Sequence, residues 1–139
     1  MKTRLTLTLE DAKKIAAAAE AEALTRNWNV TIAICDDAGQ LIWLQRLDGA
    51  PPMSALIAPE KARTCALARK PSKAVEDVVN SGRLAALRMP VLPLEGGEMI
   101  VYEGECLGGV GVSGVKSSED AIVARAGIAA IGAGWELPI

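Results

Sequence analysis

The chain has 139 residues, half of them apolar, with 15 basic and 17 acidic side chains and a formal net charge of −2. This length fits one globular domain over residues 1–139, built on one hydrophobic core. The near-balanced charge argues against a nucleic-acid-binding protein, and the chain shows neither a signal peptide nor the run of about 18 apolar residues typical of a membrane span.

The first half of the chain predicts a helix, a β-hairpin and two further helices. Thr8 is a good helix N-cap, with Asp11 in place of the usual capping-box Glu, and small apolar residues recur on one face to about residue 25. Residues 30–35 and 41–46 are apolar runs joined by turn-forming residues, which predicts an antiparallel hairpin. After a break at residues 48–52, helices are predicted over about 54–69 and 73–81.

The second half predicts three strands and a last helix. Strands are expected around residues 91–94, 99–102 and 106–112, with a tight turn at Glu103-Gly104. Residues 117–120 repeat the capping arrangement, so a helix is expected over about 121–131, ending at Gly132. Hairpin-linked strands with few long crossovers predict an α+β fold, in which helices pack on an antiparallel sheet of about five strands.

The chain contains no histidine, which limits its chemistry. Histidine is the commonest general base and the commonest protein ligand of zinc and of haem iron, so we predict no metal site. Three cysteines, Cys35, Cys65 and Cys106, are an odd number at wide spacing, which favours reduced thiols and a cytoplasmic protein. Their apolar surroundings predict that they are buried.

Short motifs along nearly the whole chain resemble one known family. They are Leu7–Ala12, Asp36–Gly39, Arg46–Ala50, Ser54, Lys61–Thr64, Gly96-Gly97 and Gly108–Gly114. In this order they resemble the GlcG/HbpS family, whose domain also forms the C-terminal part of PduO-type cobalamin adenosyltransferases.

The resemblance implies a profilin-like αβα fold, a homo-oligomer with an octamer as one candidate, and the binding of haem or a corrinoid. Family members commonly carry a small or apolar residue and Pro after the Gly-Gly pair, where this chain has Glu98 and Met99. In the absence of histidine, a haem would need a cysteine thiolate or a methionine as its ligand.

Lys61 is the leading candidate for a functional side chain. On a helix from Ser54 it shares a stripe with residues that are otherwise small or apolar, namely Ser54, Ile57, Ala58, Thr64, Cys65 and Ala68. A charged group on an inward-looking face could anchor an anion, act as a base or act as an amine nucleophile. The structural alternative is an ammonium that extends to the rim or pairs with a carboxylate such as Asp48.

Arg46 and two adjacent glycines complete the predicted site. Arg46 at a strand end could bind a ligand carboxylate, or it could bond Asp48 or cap the loop that follows. The Gly96-Gly97 pair precedes a strand and could offer free backbone amides to an anionic group.

The later glycine-rich run has a different explanation. Gly108, Gly109 and Gly111 predict close packing of the first or last helix against the sheet. Residues 109–114 formally match a dinucleotide-binding fingerprint, but the flanking antiparallel hairpins exclude the βαβ unit that this fingerprint requires.

These residues leave three hypotheses about function. The first is a small-ligand-binding protein, by resemblance of the haem or tetrapyrrole type, whose ligand lies beside Lys61 in a cleft of Arg46, Gly49, Ser54, Gly96 and Gly97. The second is an enzyme acting on a small carboxylate or carbonyl compound, with Lys61 as base or electrostatic catalyst, Asp48 as its partner and the glycine amides as an oxyanion site. The third is a structural oligomer without chemistry of its own.

Overall fold

Four α-helices, one 3₁₀ helix and four strands make up the computed structural model, which describes residues 1–138. In chain order they are α1 (Leu9–Thr25), β1 (Thr31–Asp36), β2 (Leu41–Arg46), α2 (Ser54–Ala68), α3 (Ser72–Asn80), the 3₁₀ helix (Leu84–Arg88), β3 (Gly97–Tyr102), β4 (Glu105–Ser113) and α4 (Ser117–Ala129).

The strands form one antiparallel sheet in the order β2-β1-β4-β3. The turn between β3 and β4 is the predicted one, since Glu103 and Gly104 both have positive φ, at 50° and 78°. Two such residues give the tight hairpin turn that suits the twist of the strands. Beyond the sheet, Val101 on β3 also bridges to Gly134, so the C-terminal segment covers part of this edge.

The fifth strand expected at residues 91–94 is absent from the described chain. Thr64 on α2 holds this segment instead, because its hydroxyl accepts a hydrogen bond from the Leu92 N–H (2.9 Å) and donates to the Leu92 carbonyl (3.0 Å). Pro90 and Pro93, on either side of Leu92, have no N–H to donate to a strand ladder. The predicted strand is therefore wrong, and residues 91–94 form a partly buried segment without strand pairing.

The sheet lies between two helical layers. Helices α1 and α4 pack on one face and α2 packs on the other. The larger core fills the first side, and its biggest fully buried side chains include Ile15, Ile32, Ile34, Ile100 and Ile128. This arrangement confirms the predicted α+β class and αβα layering. Among residues 1–138, no helix is both long and apolar enough to span a membrane.

Glycines on the sheet let α2 approach closely. A Cβ atom at Gly109 would lie 2.5 Å from the Ala62 carbonyl oxygen, and one at Gly111 would lie 2.0 Å from that of Ala58. The close packing predicted from these glycines is present, but the helix is α2 and not the first or last helix. Its inward face is rich in alanine, so backbone and sheet meet without bulky side chains between them.

The helix caps were predicted with mixed success. The Thr8 and Asp11 capping box is present at the start of α1. At α4 the helix begins four residues earlier than predicted, and the Lys116 N–H donates to the Glu119 carboxylate. Asp120 takes no part in this cap because its carboxylate is directed into the protein interior, as described next.

Candidate functional site

Lys61 lies in the interior, as its position on the inward stripe of α2 predicts. Its side chain is 3% exposed, and its ammonium donates to the Asp120 carboxylate (2.9 Å) and to the Val112 backbone carbonyl (3.0 Å). One side chain thereby joins α2 to the end of β4 and to the first turn of α4. The prediction that Lys61 pairs with Asp48 is wrong, because Asp120 supplies the carboxylate.

Asp120 is as deeply buried as its partner, at 2% exposed. Burial raises the pKa of the Asp120 carboxyl, while the nearby Lys61 ammonium offsets part of that effect. The second carboxylate oxygen accepts a hydrogen bond from the Val115 N–H at 3.2 Å. Both oxygens therefore have partners, as a buried ion pair requires.

The Gly96-Gly97 pair packs directly against Lys61. Gly96 has φ +125°, and a Cβ atom there would lie 2.7 Å from the Lys61 Nζ atom. A Cβ atom at Gly97 would lie 2.2 Å from the Lys61 carbonyl oxygen. The expectation that both amides are free is wrong for Gly97, whose N–H donates to the Ser72 hydroxyl at 2.8 Å. These glycines make room for the lysine.

The other predicted site residues lie elsewhere or are already occupied. Arg46 is exposed and donates from Nε to the Ala50 carbonyl (3.1 Å), so it caps the loop that follows β2. Asp48 and Gly49 are exposed in this loop. The Ser54 hydroxyl is buried between the Thr31 hydroxyl (2.7 Å) and the Pro51 carbonyl (2.6 Å). Of the predicted cleft, Lys61, Gly96 and Gly97 come together. The Arg46 and Ser54 side chains are already hydrogen-bonded, and Asp48 and Gly49 lie exposed in the loop after β2.

A second ion pair, in which only the carboxylate is buried, was not predicted. Glu98 is 3% exposed and accepts a hydrogen bond from Arg125 at 3.0 Å, while Arg125 itself is partly exposed beneath the Trp135 ring. Burial raises the pKa of the Glu98 carboxyl, and the Arg125 guanidinium opposes that shift. A sequence signal was present, because the family resemblance predicts a small or apolar residue at the position of Glu98.

The three cysteines are free and buried. Burial raises the pKa of the Cys35 thiol to about 12, and it also raises the pKa of Cys65 and of Cys106. These thiols are therefore protonated near neutral pH and are poor nucleophiles or metal ligands. Within the described residues, no group of three or more His, Cys, Asp or Glu side chains is placed to hold a metal ion.

An open groove that sequence reasoning missed lies between the end of α2, α3 and the 3₁₀ helix. Its volume is about 230 Å³. Five apolar side chains, two cations and one thioether line it: Ala68, Ala74, Val75, Val78, Ala86, Lys70, Arg83 and Met89. Among residues 1–138, neither Lys70 nor Arg83 forms an ion pair. We call this feature the α2–α3 groove.

The layered α+β domain with a four-stranded antiparallel sheet is of the profilin-like class. Residues 7–129 match the family model described as haem degrading protein HbpS-like, so the chain belongs to the HbpS-like family. The resemblance identified from the sequence motifs is thereby confirmed.

Relatives of known name agree with this assignment. Protein GlcG of Escherichia coli K12 is 46% identical over 114 residues, which cover 81% of this chain and 85% of GlcG. A crystal structure of a Streptomyces reticuli HbpS double mutant superposes with a TM-score of 0.87 at 31% identity, covering 95% of this chain and 91% of that one. The crystal structure of a PduOC–haem complex gives a TM-score of 0.86 at 28% identity, covering 95% and 99% of the two chains.

Proposed function

We propose that this protein binds a haem-type tetrapyrrole in the α2–α3 groove. The observation that carries the proposal is the composition of that groove, in which an Ala- and Val-lined floor lies beside two cations without carboxylate partners, Lys70 and Arg83. A haem presents an apolar macrocycle with two carboxylates on one edge, so its shape and charge are complementary to this lining. The haem complex of the structural neighbour PduOC supports the same ligand class.

The residues of the groove fit the ligand in three respects. Val75 and Val78 offer apolar contact to the ring, Lys70 and Arg83 offer charge to the carboxylates, and Met89 offers a sulfur atom to the iron. A volume of about 230 Å³ is smaller than pockets that enclose a drug-sized ligand, so the groove would contact only part of the macrocycle.

The charge of the groove favours haem over a corrinoid. Cobalamin carries amides on its ring where haem carries free carboxylates, and its one anionic group is a phosphodiester in the nucleotide loop, away from the ring edge that Lys70 and Arg83 would contact. A titration that compares the two ligands separates these possibilities. Saturable binding of haem with weak or absent binding of cobalamin is the expected result.

The experiment is an absorbance titration of haem into the purified protein and into the double variant Lys70→Ala/Arg83→Ala. Two exposed ion pairs at roughly 0.2–1 kcal/mol each predict a loss of affinity of about two- to thirtyfold. The matched control is Lys14→Ala/Lys116→Ala, which removes two exposed cations outside the groove. No saturable binding to the unmodified protein, or equal affinities of the two double variants, would refute the proposal.

We further propose that copies of the chain associate in the cytoplasm. Large apolar side chains that are at least 60% exposed, at Leu24, Met53, Leu56 and Leu84, support association, since such surfaces are commonly covered by a partner. The three buried free thiols support a reducing compartment. Light scattering over a range of concentrations measures the assembly, and a monomer at every concentration would contradict it.

A second candidate function is an enzyme centred on Lys61. The specific observation in its favour is that two ionisable groups, Lys61 and Asp120, lie buried together and that the pKa of Asp120 is raised, as is common at catalytic sites. Substrate would have to displace the Gly96 segment to reach the ammonium. If this candidate is correct, Lys61→Met abolishes turnover of a small carboxylate or carbonyl compound while its circular dichroism spectrum and its haem binding match those of the unmodified protein, whereas loss of the folded spectrum would mark Lys61 as structural.

A further inference from the structure

Few side chains of this protein can donate an electron pair to haem iron. The sequence contains no histidine, so the commonest ligand is missing. The thiols of Cys35, Cys65 and Cys106 are at most 9% exposed and do not line the α2–α3 groove. Lysine and arginine carry their charge as N–H donors without an accepting lone pair, so Lys70 and Arg83 suit the carboxylates rather than the iron. Tyr102, the one tyrosine of the sequence, does not line the groove either, so methionine sulfur is the remaining strong candidate.

The four methionines occupy very different positions. Met1 begins the chain, Met99 is 2% exposed in the core beside Cys65, and Met53 is 64% exposed just before α2. Met89 is 43% exposed and lines the α2–α3 groove. Among the described residues that line this groove, Met89 is the only one of the three residue types (histidine, cysteine and methionine) that commonly bind haem iron.

We infer that the Met89 thioether is the protein's ligand to the haem iron, an inference that rests on the proposed function. A thioether keeps its lone pairs at every pH, and it is a soft ligand of the kind that binds haem iron in some haem proteins. Coordination forms one Sδ–iron bond from a lone pair and releases no proton. Val75 and Val78, which line the same groove, would offer apolar contact to the ring.

The backbone around Met89 holds this side chain in place. Met89 ends the 3₁₀ helix, and its N–H donates to the Ala86 carbonyl at 3.2 Å. Pro90 follows with its fixed φ angle, and the Pro90 carbonyl accepts a hydrogen bond from Arg63 on α2 at 2.8 Å. The residue that follows Met89 is thus held to α2 by a hydrogen bond. A ligand on a held backbone loses less conformational freedom when it binds.

The test compares haem with iron-free protoporphyrin IX, which has the same ring and carboxylates but offers no iron to the sulfur. Met89→Leu keeps the apolar volume and removes the donor atom. We expect this variant to bind haem at least about tenfold more weakly, equivalent to about 1.4 kcal/mol, and to bind protoporphyrin within about twofold of the unmodified protein. Met53→Leu is the control, since it removes an exposed methionine outside the groove.

The absorption spectrum and reduction potential of the haem complex give a second readout. Methionine ligation raises the reduction potential of haem, so Met89→Leu is expected to lower it and to change the visible bands, whereas Met53→Leu leaves both unchanged. Met89→His is expected to bind haem more tightly with a nitrogen-ligand spectrum.

The outcomes separate this inference from the proposed function. Equal haem affinity, spectrum and potential in Met89→Leu and the unmodified protein would overturn Met89 ligation, while haem binding itself would stand. A parallel loss of haem and protoporphyrin affinity would also overturn it, because the role of Met89 would then be packing. Absence of haem and protoporphyrin binding in the unmodified protein would overturn both proposals.

Discussion

Replacing Lys61 with methionine tests the buried ion pair at the centre of the fold. The substitution keeps an unbranched side chain of similar length but leaves the Asp120 carboxylate, 2% exposed, with the Val115 N–H as its hydrogen-bond donor. Breaking a buried pair by removing one partner costs about 3–5 kcal/mol, because an uncompensated charge remains inside. We expect Lys61→Met to lower the free energy of unfolding by that amount.

The double variant Lys61→Met/Asp120→Asn separates the charge effect from packing. Its amide oxygen can still accept the Val115 N–H, and no buried charge is left, so we expect a loss of roughly 1–2 kcal/mol. The two changes should therefore be strongly non-additive, as is typical of side chains in direct contact. Acidification should also reduce the loss of unfolding free energy in Lys61→Met. Burial already raises the pKa of the Asp120 carboxyl, and this group carries no charge once it is protonated.

Urea unfolding followed by tryptophan fluorescence measures these differences, since Trp28, Trp43 and Trp135 pack against the main core. The matched control is Lys73→Met, which breaks an (i, i+4) pair with Asp77 whose two side chains are at least half exposed. A solvated pair of this kind contributes little to stability. If Lys61→Met costs no more than Lys73→Met, the description of Lys61 as a buried structural clamp is incorrect.

Two other changes follow from the geometry. Burial raises the pKa of the Glu98 carboxyl, so the folded protein binds more protons than the unfolded chain. The unmodified protein should therefore lose stability as the pH rises from about 4.5 through the raised pKa, whereas Glu98→Gln, which lacks the carboxyl, should not show this loss. Urea unfolding at several pH values measures the difference. Gly111→Ala places a Cβ atom 2.0 Å from the Ala58 carbonyl oxygen and should lower the free energy of unfolding by about 3 kcal/mol or prevent folding. A Cβ atom at Gly134 would have nothing within 4 Å, so Gly134→Ala should change the melting temperature little. Equal effects of the two substitutions would contradict the close packing of α2.

Local signals in the sequence predicted the fold well where they matched the tertiary context. The capping box at Thr8 and the tight turn at Glu103-Gly104 depend on neighbouring residues, and the structure has both. The fifth strand was wrong because the apolar segment around Leu92 bonds to a threonine side chain of α2, a contact that strand propensity does not encode. Features set by neighbouring residues were thus easier to predict than a contact with a distant element.

In the candidate site, too, a local feature was predicted correctly and a distant contact was not. The small-residue stripe of α2 predicted that Lys61 turns inward, but its carboxylate partner lies 59 residues away in α4 and not in the nearby loop with Asp48. A signal for Asp120 was available, because it too sits on a helix among inward-facing alanines. The α2–α3 groove could not be predicted, since the chain from Arg83 to Met89 gave no regular pattern and its lining comes from three separate elements.

A crystal structure of the protein co-crystallised with haem tests the central claim most directly. We predict density for the macrocycle in the α2–α3 groove, with the carboxylates near Lys70 and Arg83 and the iron bonded to the Met89 sulfur. Haem bound at another surface, or beside Lys61 and Gly96 after displacement of Asp120, would contradict the account.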